Sequence, residues 1–386
     1  MSESAVAMKS INTTESASIP ASHGDNGLLT EQHFQRAIVL ERRRSERSGK
    51  AFLLMLIDSG NCSCSEERSK LISKILSQLS LSTRETDVLG WYKKDVSVGV
   101  IFTEISIEDK ASIGDVMRAR ITEVLRNRLK VEQRGQVTIS LHVFPEDWDS
   151  NDKNRSHDPR LYPDLLNREQ SQRMPRILKR AIDVLGSILA LLLFSPVFLL
   201  IALAIKLTSG GPVLFRQVRV GQYGALFTLL KFRSMYVNSD DGNHKEYVGQ
   251  LIAGRAEKQP SNGNNGNREG VYKLTSDCRI TSVGAFLRRS SLDEIPQFFN
   301  VLKGEMSLVG PRPSLAYEVA AYEMWHRRRL LEAKPGITGL WQVNGRNRVQ
   351  FDEMVRLDLA YAETWSPWLD ITILLRTPRA VLEGAH

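Results

Sequence analysis

Hydrophobic and polar positions divide this chain into an N-terminal part with short, alternating elements and a C-terminal part that opens on one long apolar run. Within residues 28–145, Thr30 can cap a first helix, and residues 51–58 form the continuous apolar run of a buried strand. Residues 71–82 have the spacing of an amphipathic helix. The pattern therefore predicts helices and strands in alternation from the start of this part.

The remainder of the N-terminal part continues the alternation. Residues 87–102 read as two short strands joined by a turn, and a helix from Ile113 to Leu129 and a strand from Gln136 to Val143 follow. Elements in this order favour an α/β sandwich built on a central sheet.

Two polar segments flank that predicted domain. Residues 1–27 are rich in Ser, Ala, Thr and Asn and lack an apolar core of signal-peptide length, so we expect a disordered lead. Residues 146–172 are polar and punctuated by proline, which is typical of a linker. The second domain would then occupy residues 173–386.

The second domain begins with 22 consecutive uncharged residues, Val184 to Ile205. At roughly 1.5 Å per residue such a run is long enough to cross a hydrocarbon core of about 30 Å. However, Ser195-Pro196 interrupts it near the middle, and both flanks are basic, which favours having both ends on the cytoplasmic side. The pattern predicts a re-entrant helix-break-helix hairpin at about residues 177–207, with an ordinary spanning helix as the alternative.

A compact acidic pair lies further along, between basic residues. Asp293 and Glu294 follow Ser290 and Ser291, which are good N-cap residues, and precede Pro296, which is tolerated in a first helical turn. We therefore expect both carboxylates at a helix start, where unpaired N–H groups and the helix dipole favour negative charge. Acids are favoured in first turns in any case, so the pair by itself leaves a structural role open.

Two further segments place cations at defined positions. An alternating, Gly- and Pro-bearing stretch predicts a β segment that ends at Lys231 and Arg233. Two prolines surround Arg312 and restrict its backbone, and a fixed guanidinium suits bidentate phosphate recognition.

Charge and cysteine content narrow the function classes. The chain carries a net charge of +8, and residues 173–386 hold 28 of its 52 Lys and Arg against 19 of its 44 Asp and Glu. Since the basic half has no recognisable nucleic-acid motif and contains the apolar run, we expect membrane lipid and phosphorylated substrates as partners, and no nucleic acid. Three cysteines, Cys62, Cys64 and Cys278, are too few and too irregular for a disulfide framework or a zinc site.

From about Arg176 to the C-terminus the chain resembles the bacterial sugar transferases, which are monotopic phosphoglycosyl transferases. The resemblance rests on the segments KRAIDVLGSILALLLFSP, GGPVLFRQVRVG, KFRSM, TSVGAFLRRSSLDE, DEIPQFFNVLKGEMSLVGPRP and KPGITGLWQVNGR. It implies an α+β protein whose helix-rich catalytic domain holds a re-entrant membrane helix broken at the Ser-Pro pair.

The resemblance also implies roles for individual residues. Asp293 would be the nucleophile and a ligand of Mg²⁺, and Glu294 would assist it by orienting the metal or managing a proton. Positive charge for the nucleotide sugar would come from Lys231, Arg288 and Arg312, and a salt bridge on a solvated face is the alternative role for Lys231. Lys179 and Arg180 would bind the phosphate of the lipid acceptor or anchor the chain at the membrane interface. Weaker candidates for the nucleotide end are Arg346 and Arg348.

The implied reaction transfers a sugar 1-phosphate from a UDP-sugar to undecaprenyl phosphate, through a phosphosugar-aspartate intermediate and with release of UMP. It would take place on the cytoplasmic face of the inner membrane, as the first step of exopolysaccharide or capsule synthesis, and by analogy the sugar would be glucose or galactose. Two alternatives are a cyclic-dinucleotide-responsive regulator and a scaffold, each with a vestigial transferase half.

The N-terminal domain faintly resembles the nucleotide cyclase domains that make cyclic di-GMP. Where those enzymes have a glycine-rich acidic turn, this chain has the residues Trp91 to Asp95 and no glycine. The resemblance implies a catalytically dead copy that is retained as a regulatory module, with a possible cyclic dinucleotide ligand and a possible homodimer. An unrelated α/β regulatory domain is the alternative.

Overall fold

The computed structural model describes residues 28–59, 65–105, 116, 119, 123, 137–146, 158–171, 173–237, 242–256, 279–345 and 349–383. The chain divides into two compact units, Met1–Phe144 and Pro145–His386. The predicted disordered lead lies outside the described residues, and so does nearly all of the predicted helix from Ile113 to Leu129.

Within its described residues, the first unit is a four-stranded antiparallel sheet with helices on its faces. Its elements are α1 (Glu31–Ser48), β1 (Ala51–Ser59), α2 (Ser65–Ser82), β2 (Val88–Lys93), β3 (Ser97–Ile105) and β4 (Val137–Phe144). The strand order is β2-β3-β1-β4, and Met55 in the central strand β1 is paired with Val100 on one side and with Leu141 on the other.

Successive side chains of β1 point to opposite faces of the sheet and pack against two different helices. Leu53, Met55 and Ile57 pack with α2 in one buried cluster. Leu56 points to the opposite face, since successive residues of a strand alternate, and there the Phe34 ring of α1 lies directly over Gly99. Helices therefore cover both faces of the sheet, as the α/β sandwich prediction requires.

The described part of the second unit is rich in helices and has two small sheets. Its first elements are a 3₁₀ turn (Pro159–Leu161), α3 (Pro163–Ser171), α4 (Arg173–Thr208), β5 (Leu214–Val220), β6 (Leu226–Phe232), α5 (Gly242–Ile252) and α6 (Ser282–Ser290). Its later elements are a 3₁₀ turn (Leu292–Glu294), α7 (Gln297–Lys303), β7 (Ser307–Val309), α8 (Ala316–Ala320), a 3₁₀ turn (Met324–Arg327), α9 (Arg328–Glu332), β8 (Gly336–Thr338), α10 (Leu340–Asn344), α11 (Phe351–Thr364) and α12 (Pro367–Glu383).

Part of the segment predicted to be a linker is helical, which corrects that prediction. Pro159 and Pro163 each open a short helix, and Leu161 and Tyr162 between them are buried. Proline at a first helical position loses no hydrogen bond, because that N–H has no helical acceptor in any case. The prolines that indicated a linker are helix starts here.

Helix α4 contains the apolar run as one continuous helix with Pro196 inside it. The predicted break into two helices is therefore not seen. A proline in a helix leaves the carbonyl four residues earlier without its N–H donor. Ser195 Oγ donates a hydrogen bond of 2.8 Å to that carbonyl, the oxygen of Leu192, which gives the helix a replacement donor at this point.

One face of α4 packs against its own unit over most of its length. In the first half, Asp183 Oδ1 accepts hydrogen bonds of 2.9 Å from Ser307 Oγ and from Leu308 N. In the second half, Ile201 and Ile205 are buried with Phe232 of β6. The opposite face exposes large apolar side chains, among them Leu185, Leu189, Leu192, Leu193, Leu199, Leu200, Leu203 and Leu207. By length and composition this helix is able to cross a membrane.

The predicted β segment is an antiparallel hairpin. Strand β5 pairs with β6 from Leu214↔Phe232 to Val220↔Leu226, so the hairpin carries Lys231 near the end of its second strand. The two short strands β7 and β8 pair in parallel and bring the GPRP and PGITG segments side by side.

Candidate active site

A cavity of about 1020 Å³ in the second unit collects five of the predicted site residues. They are Lys231, Arg288, Asp293, Glu294 and Arg312. Further cations line the same cavity, namely Arg216, Arg219, Arg233 and Arg279. Cationic side chains thus outnumber the two carboxylates in the lining, which suits a ligand with several negative charges.

A reversal of the chain presents the acidic pair to this cavity. Helix α6 ends at Ser290, and Ser291 has the left-handed conformation with φ 56°, after which the 3₁₀ turn Leu292–Glu294 leads through Pro296 into α7. The predicted capping by the two serines is wrong. Ser290 Oγ donates to the Phe286 carbonyl of its own helix, and Ser291 makes no side-chain cap.

Asp293 is buried, with 8% of its surface exposed. Burial is the largest influence on its pKa and raises it from 3.8 to about 6, with a smaller upward contribution from Glu294. The positive charges of Lys231 and Arg288 act in the opposite direction. A carboxylate held with so little hydration is ionised at neutral pH and is a better nucleophile than a fully solvated one.

Lys231 links the hairpin to the acidic pair. Its Nζ lies 2.8 Å from Glu294 Oε1, and both side chains remain partly exposed to the cavity. The ion pair fixes the position of the lysine beside Asp293. The ion pair is the alternative that the sequence left open for Lys231, and its role in binding a substrate phosphate stays a prediction.

The Pro-Arg-Pro segment is held by buried arginines that the sequence did not single out. Arg329 donates a hydrogen bond of 3.2 Å to the Arg312 carbonyl, and Arg219 donates one of 3.0 Å to the Pro313 carbonyl. Arg329 is itself paired with buried Asp358 at 2.7 Å. Arg312 therefore extends an exposed guanidinium from an anchored backbone.

Arg219 has an unusual environment for an arginine. It is 6% exposed, and its hydrogen bonds go to Gln217 Oε1 and to the Pro313 carbonyl, both neutral acceptors. Burial and the charge of Arg312 lower its pKa from 12.5 to about 10. An anion in the cavity would relieve this repulsion between guanidinium groups. The RQVR pattern of a predicted strand could have indicated that Arg219 is a site residue. Only the fold shows that Arg219 lies close enough to Arg312 for their charges to interact.

Lys179 and Arg180 do not line the cavity of Asp293, and their predicted contact with the lipid phosphate stays a prediction. The Lys179 ammonium uses its three hydrogens on Asp370 Oδ2 at 2.7 Å, Tyr361 Oη at 3.1 Å and the Val309 carbonyl at 3.2 Å. Arg180 donates to two carbonyls at the end of α7, at 2.6 and 2.8 Å. These hydrogen bonds hold α4 against the rest of the unit. Both residues line a separate cavity of about 290 Å³.

The acidic pair suits a magnesium site at which the substrate supplies part of the coordination shell. Among the described residues, no group of three or more His, Cys, Asp and Glu side chains is placed to hold a metal. Mg²⁺ commonly binds through one or two carboxylates and takes its other ligands from substrate phosphates and water. Asp293, with Glu294 beside it, meets that requirement. The weaker candidates Arg346 and Arg348 lie outside the described residues.

Comparison with known proteins identifies the family of the second unit. Residues 174–384 match the family model described as bacterial sugar transferase. A Salmonella typhimurium protein named undecaprenyl-phosphate galactose phosphotransferase is 45% identical over 219 residues, which are 56% of this chain and 43% of that protein. An uncharacterized sugar transferase of Haemophilus influenzae is 44% identical over 223 residues, 57% of this chain and 45% of that protein.

A shorter relative matches over most of its length. The exopolysaccharide production protein ExoY of Rhizobium meliloti is 40% identical over 203 residues, which are 53% of this chain and 84% of that protein. By contrast, this chain spans less than half the length of the two relatives above.

The N-terminal unit has a weak structural match. A diguanylate cyclase protein from Thermotoga maritima aligns with 31% of this chain and 84% of its own length, at 20% identity and a TM-score of 0.24. A score of that size supports no conclusion about fold, and the cyclase-like assignment, the cyclic dinucleotide ligand and the homodimer stay predictions.

Proposed function

The chain belongs to the bacterial sugar transferase family, and from that membership we propose that it transfers a sugar 1-phosphate from a UDP-sugar to undecaprenyl phosphate. The observation that carries the proposal is Asp293, a buried carboxyl presented to a cavity lined by seven lysine and arginine side chains. Relatives named galactose phosphotransferase and glucose-1-phosphate transferase support galactose or glucose as the sugar.

The first half-reaction forms a covalent intermediate on Asp293. One carboxylate oxygen attacks the β-phosphorus of the UDP-sugar, the bond from that phosphorus to the bridging oxygen breaks, and UMP leaves with the electron pair. The product is a sugar-phosphoryl aspartate. Lys231, Arg288 and Arg312 balance the charge of the diphosphate as it redistributes onto UMP.

In the second half-reaction a phosphate oxygen of undecaprenyl phosphate attacks the same phosphorus and releases the Asp293 carboxylate. The product is undecaprenyl diphosphate carrying the sugar. Glu294 holds Lys231 beside the reacting phosphorus throughout, because the two side chains form an ion pair of 2.8 Å. When bound at Asp293, Mg²⁺ neutralises part of the diphosphate charge.

We place the protein on the cytoplasmic face of the inner membrane, within one leaflet. Both halves of α4 pack on the same unit while the other face of the helix is apolar and exposed. If α4 crossed the bilayer, the elements packed along it would enter the hydrocarbon with it, and each of their polar groups that lost its contact with water without gaining a hydrogen bond would cost several kcal/mol. A helix embedded from one side avoids that cost and delivers the lipid acceptor to the site.

Mass spectrometry of the quenched enzyme tests the proposal directly. The full chain in detergent, given Mg²⁺ and UDP-glucose or UDP-galactose alone, should acquire a hexose phosphate on the tryptic peptide of residues 290–303. Adding undecaprenyl phosphate should remove the adduct and release lipid-linked sugar. Asp293→Asn should show neither adduct nor UMP, whereas Glu353→Gln, at an exposed position of α11, should behave as wild type.

The outcomes separate the mechanism from its rivals. Lipid-linked sugar formed at the normal rate by Asp293→Asn would eliminate the covalent mechanism. No turnover of any UDP-sugar by competent wild-type protein would favour the regulator or scaffold instead.

A further inference from the structure

Two adjacent residues in the lining of the cavity that contains Asp293 carry polar atoms without a partner among the described residues. Trp341 and Gln342 lie on α10 and line the cavity that contains Asp293. Within the part of the chain that the structure describes, Trp341 Nε1 has no hydrogen-bond acceptor and Gln342 Oε1 has no donor, although both atoms are buried. Trp341 as a whole is only 6% exposed.

Leaving such groups unpaired is expensive for a folded protein. A buried donor or acceptor without a partner costs about 1–3 kcal/mol, and native structures keep few of them. Here an unpaired donor and an unpaired acceptor are neighbours in sequence and border the same cavity. That pairing points to a ligand that supplies an acceptor and a donor side by side.

The backbone that carries the two residues is tied to the Arg312 segment. Gly310 N donates to the Thr338 carbonyl and Gly336 N donates to the Pro311 carbonyl, each at 2.8 Å. The contact is so close that a Cβ on Gly336 would lie 2.1 Å from Gly310 N. A ligand whose phosphates meet Arg312 would therefore extend its remaining part towards α10.

We propose that Trp341 and Gln342 bind the pyrimidine base of the nucleotide donor. A uracil ring presents carbonyl acceptors next to its N3–H donor along one edge. The indole N–H can donate to a ring carbonyl while the Gln342 amide pairs with the neighbouring N3–H. This subsite rests on the proposed function, because it assigns the base end of the same nucleotide sugar.

Binding of UDP compared with inorganic pyrophosphate tests the assignment. Pyrophosphate shares the charge of UDP but has no base, so the ratio of the two affinities isolates the base contacts. In the full chain, Trp341→Phe and Gln342→Met should each lower UDP affinity by roughly tenfold, the effect of one lost hydrogen bond of about 1.4 kcal/mol. Pyrophosphate affinity should be unchanged in both variants.

A matched control removes another indole N–H of the same unit. Trp325 Nε1 is already paired with Glu323 Oε2 at 2.9 Å, and Trp325 is not among the residues that line the cavity. Trp325→Phe should therefore leave both affinities unchanged.

Equal losses of UDP and pyrophosphate affinity in the two α10 variants would reveal a purely structural role and overturn the assignment. An unchanged UDP affinity would overturn it as well. The proposed function is judged separately by release of UMP from wild-type protein, so normal turnover with an unaltered affinity ratio would reject this subsite alone.

Discussion

Replacing Asp293 by asparagine should abolish transfer and at the same time stabilise the folded protein. The carboxyl is 8% exposed, and its pKa rises from 3.8 to about 6 because burial penalises the charged form. Keeping it ionised therefore costs the folded state about 3 kcal/mol at pH 8. The amide has nearly the same shape and carries no charge, so the variant avoids this cost.

The sign of the effect gives it a distinctive pH dependence. Between pH 3.8 and about 6 the folded state holds a proton that the unfolded state has lost, so ionisation of Asp293 destabilises wild type increasingly as pH rises. The advantage of Asp293→Asn should be small near pH 4, grow up to about pH 6 and then level off. For a unit of this size, about 3 kcal/mol corresponds to a rise in Tm of roughly 6–12 °C.

Thermal unfolding in detergent, without added Mg²⁺ or nucleotide, measures this difference at pH 4.5, 6 and 8. Glu353→Gln, which removes a carboxylate at an exposed position, controls for the loss of one negative charge and should follow wild type at each pH. A stability gain for Asp293→Asn that is equal at all three pH values, or a loss at pH 8, would refute the argument from burial.

Two further substitutions test a close backbone contact at Gly284 and the hydrogen bond of Ser195 beside the proline of α4. Gly284→Ala should destabilise the second unit by about 2 kcal/mol or more, because a Cβ there would lie 1.9 Å from a backbone carbonyl oxygen. Gly249→Ala, with open space around it, should not lower Tm. Equal changes in Tm for the two variants would contradict the argument from steric overlap. Ser195→Ala should lower Tm in nanodiscs by an amount equivalent to about 1 kcal/mol, because it removes the donor to the Leu192 carbonyl. In a Pro196→Ala background the same change should have little effect, since the backbone N–H returns, and a full effect there would show that the serine acts otherwise.

The position of the acidic pair in a turn before a helix was predictable because it depends on neighbours in sequence. Asp293 and Glu294 are adjacent, and local turn preferences place both in the short turn before α7. The helix predicted to begin at the serines was wrong in detail, because Ser291 takes a left-handed conformation that ends one helix and redirects the chain. Both carboxylates line the cavity.

Lys179 shows what sequence reasoning could not reach. A lysine beside an apolar run suggests a group at the membrane surface, free to meet a lipid phosphate. Its partners in the fold lie 130 to 191 positions away, and together they occupy all three of its hydrogens. No local pattern reports whether a cation is already satisfied by residues so distant in the chain.

The sequence by itself determined the two-part organisation, the long apolar helix and the family, because these follow from periodicity and from residues close together in the chain. Only the tertiary structure decided that α4 continues through Pro196 and that Arg219 and Arg329 anchor the segment bearing Arg312. It also decided that Trp341 borders the cavity with an N–H that finds no acceptor among the described residues. Each of these depends on burial and on hydrogen bonds between distant segments. Desolvation of a side chain and its hydrogen-bond pairing are properties of the packed chain. They are therefore determined only when the secondary-structure elements have come together.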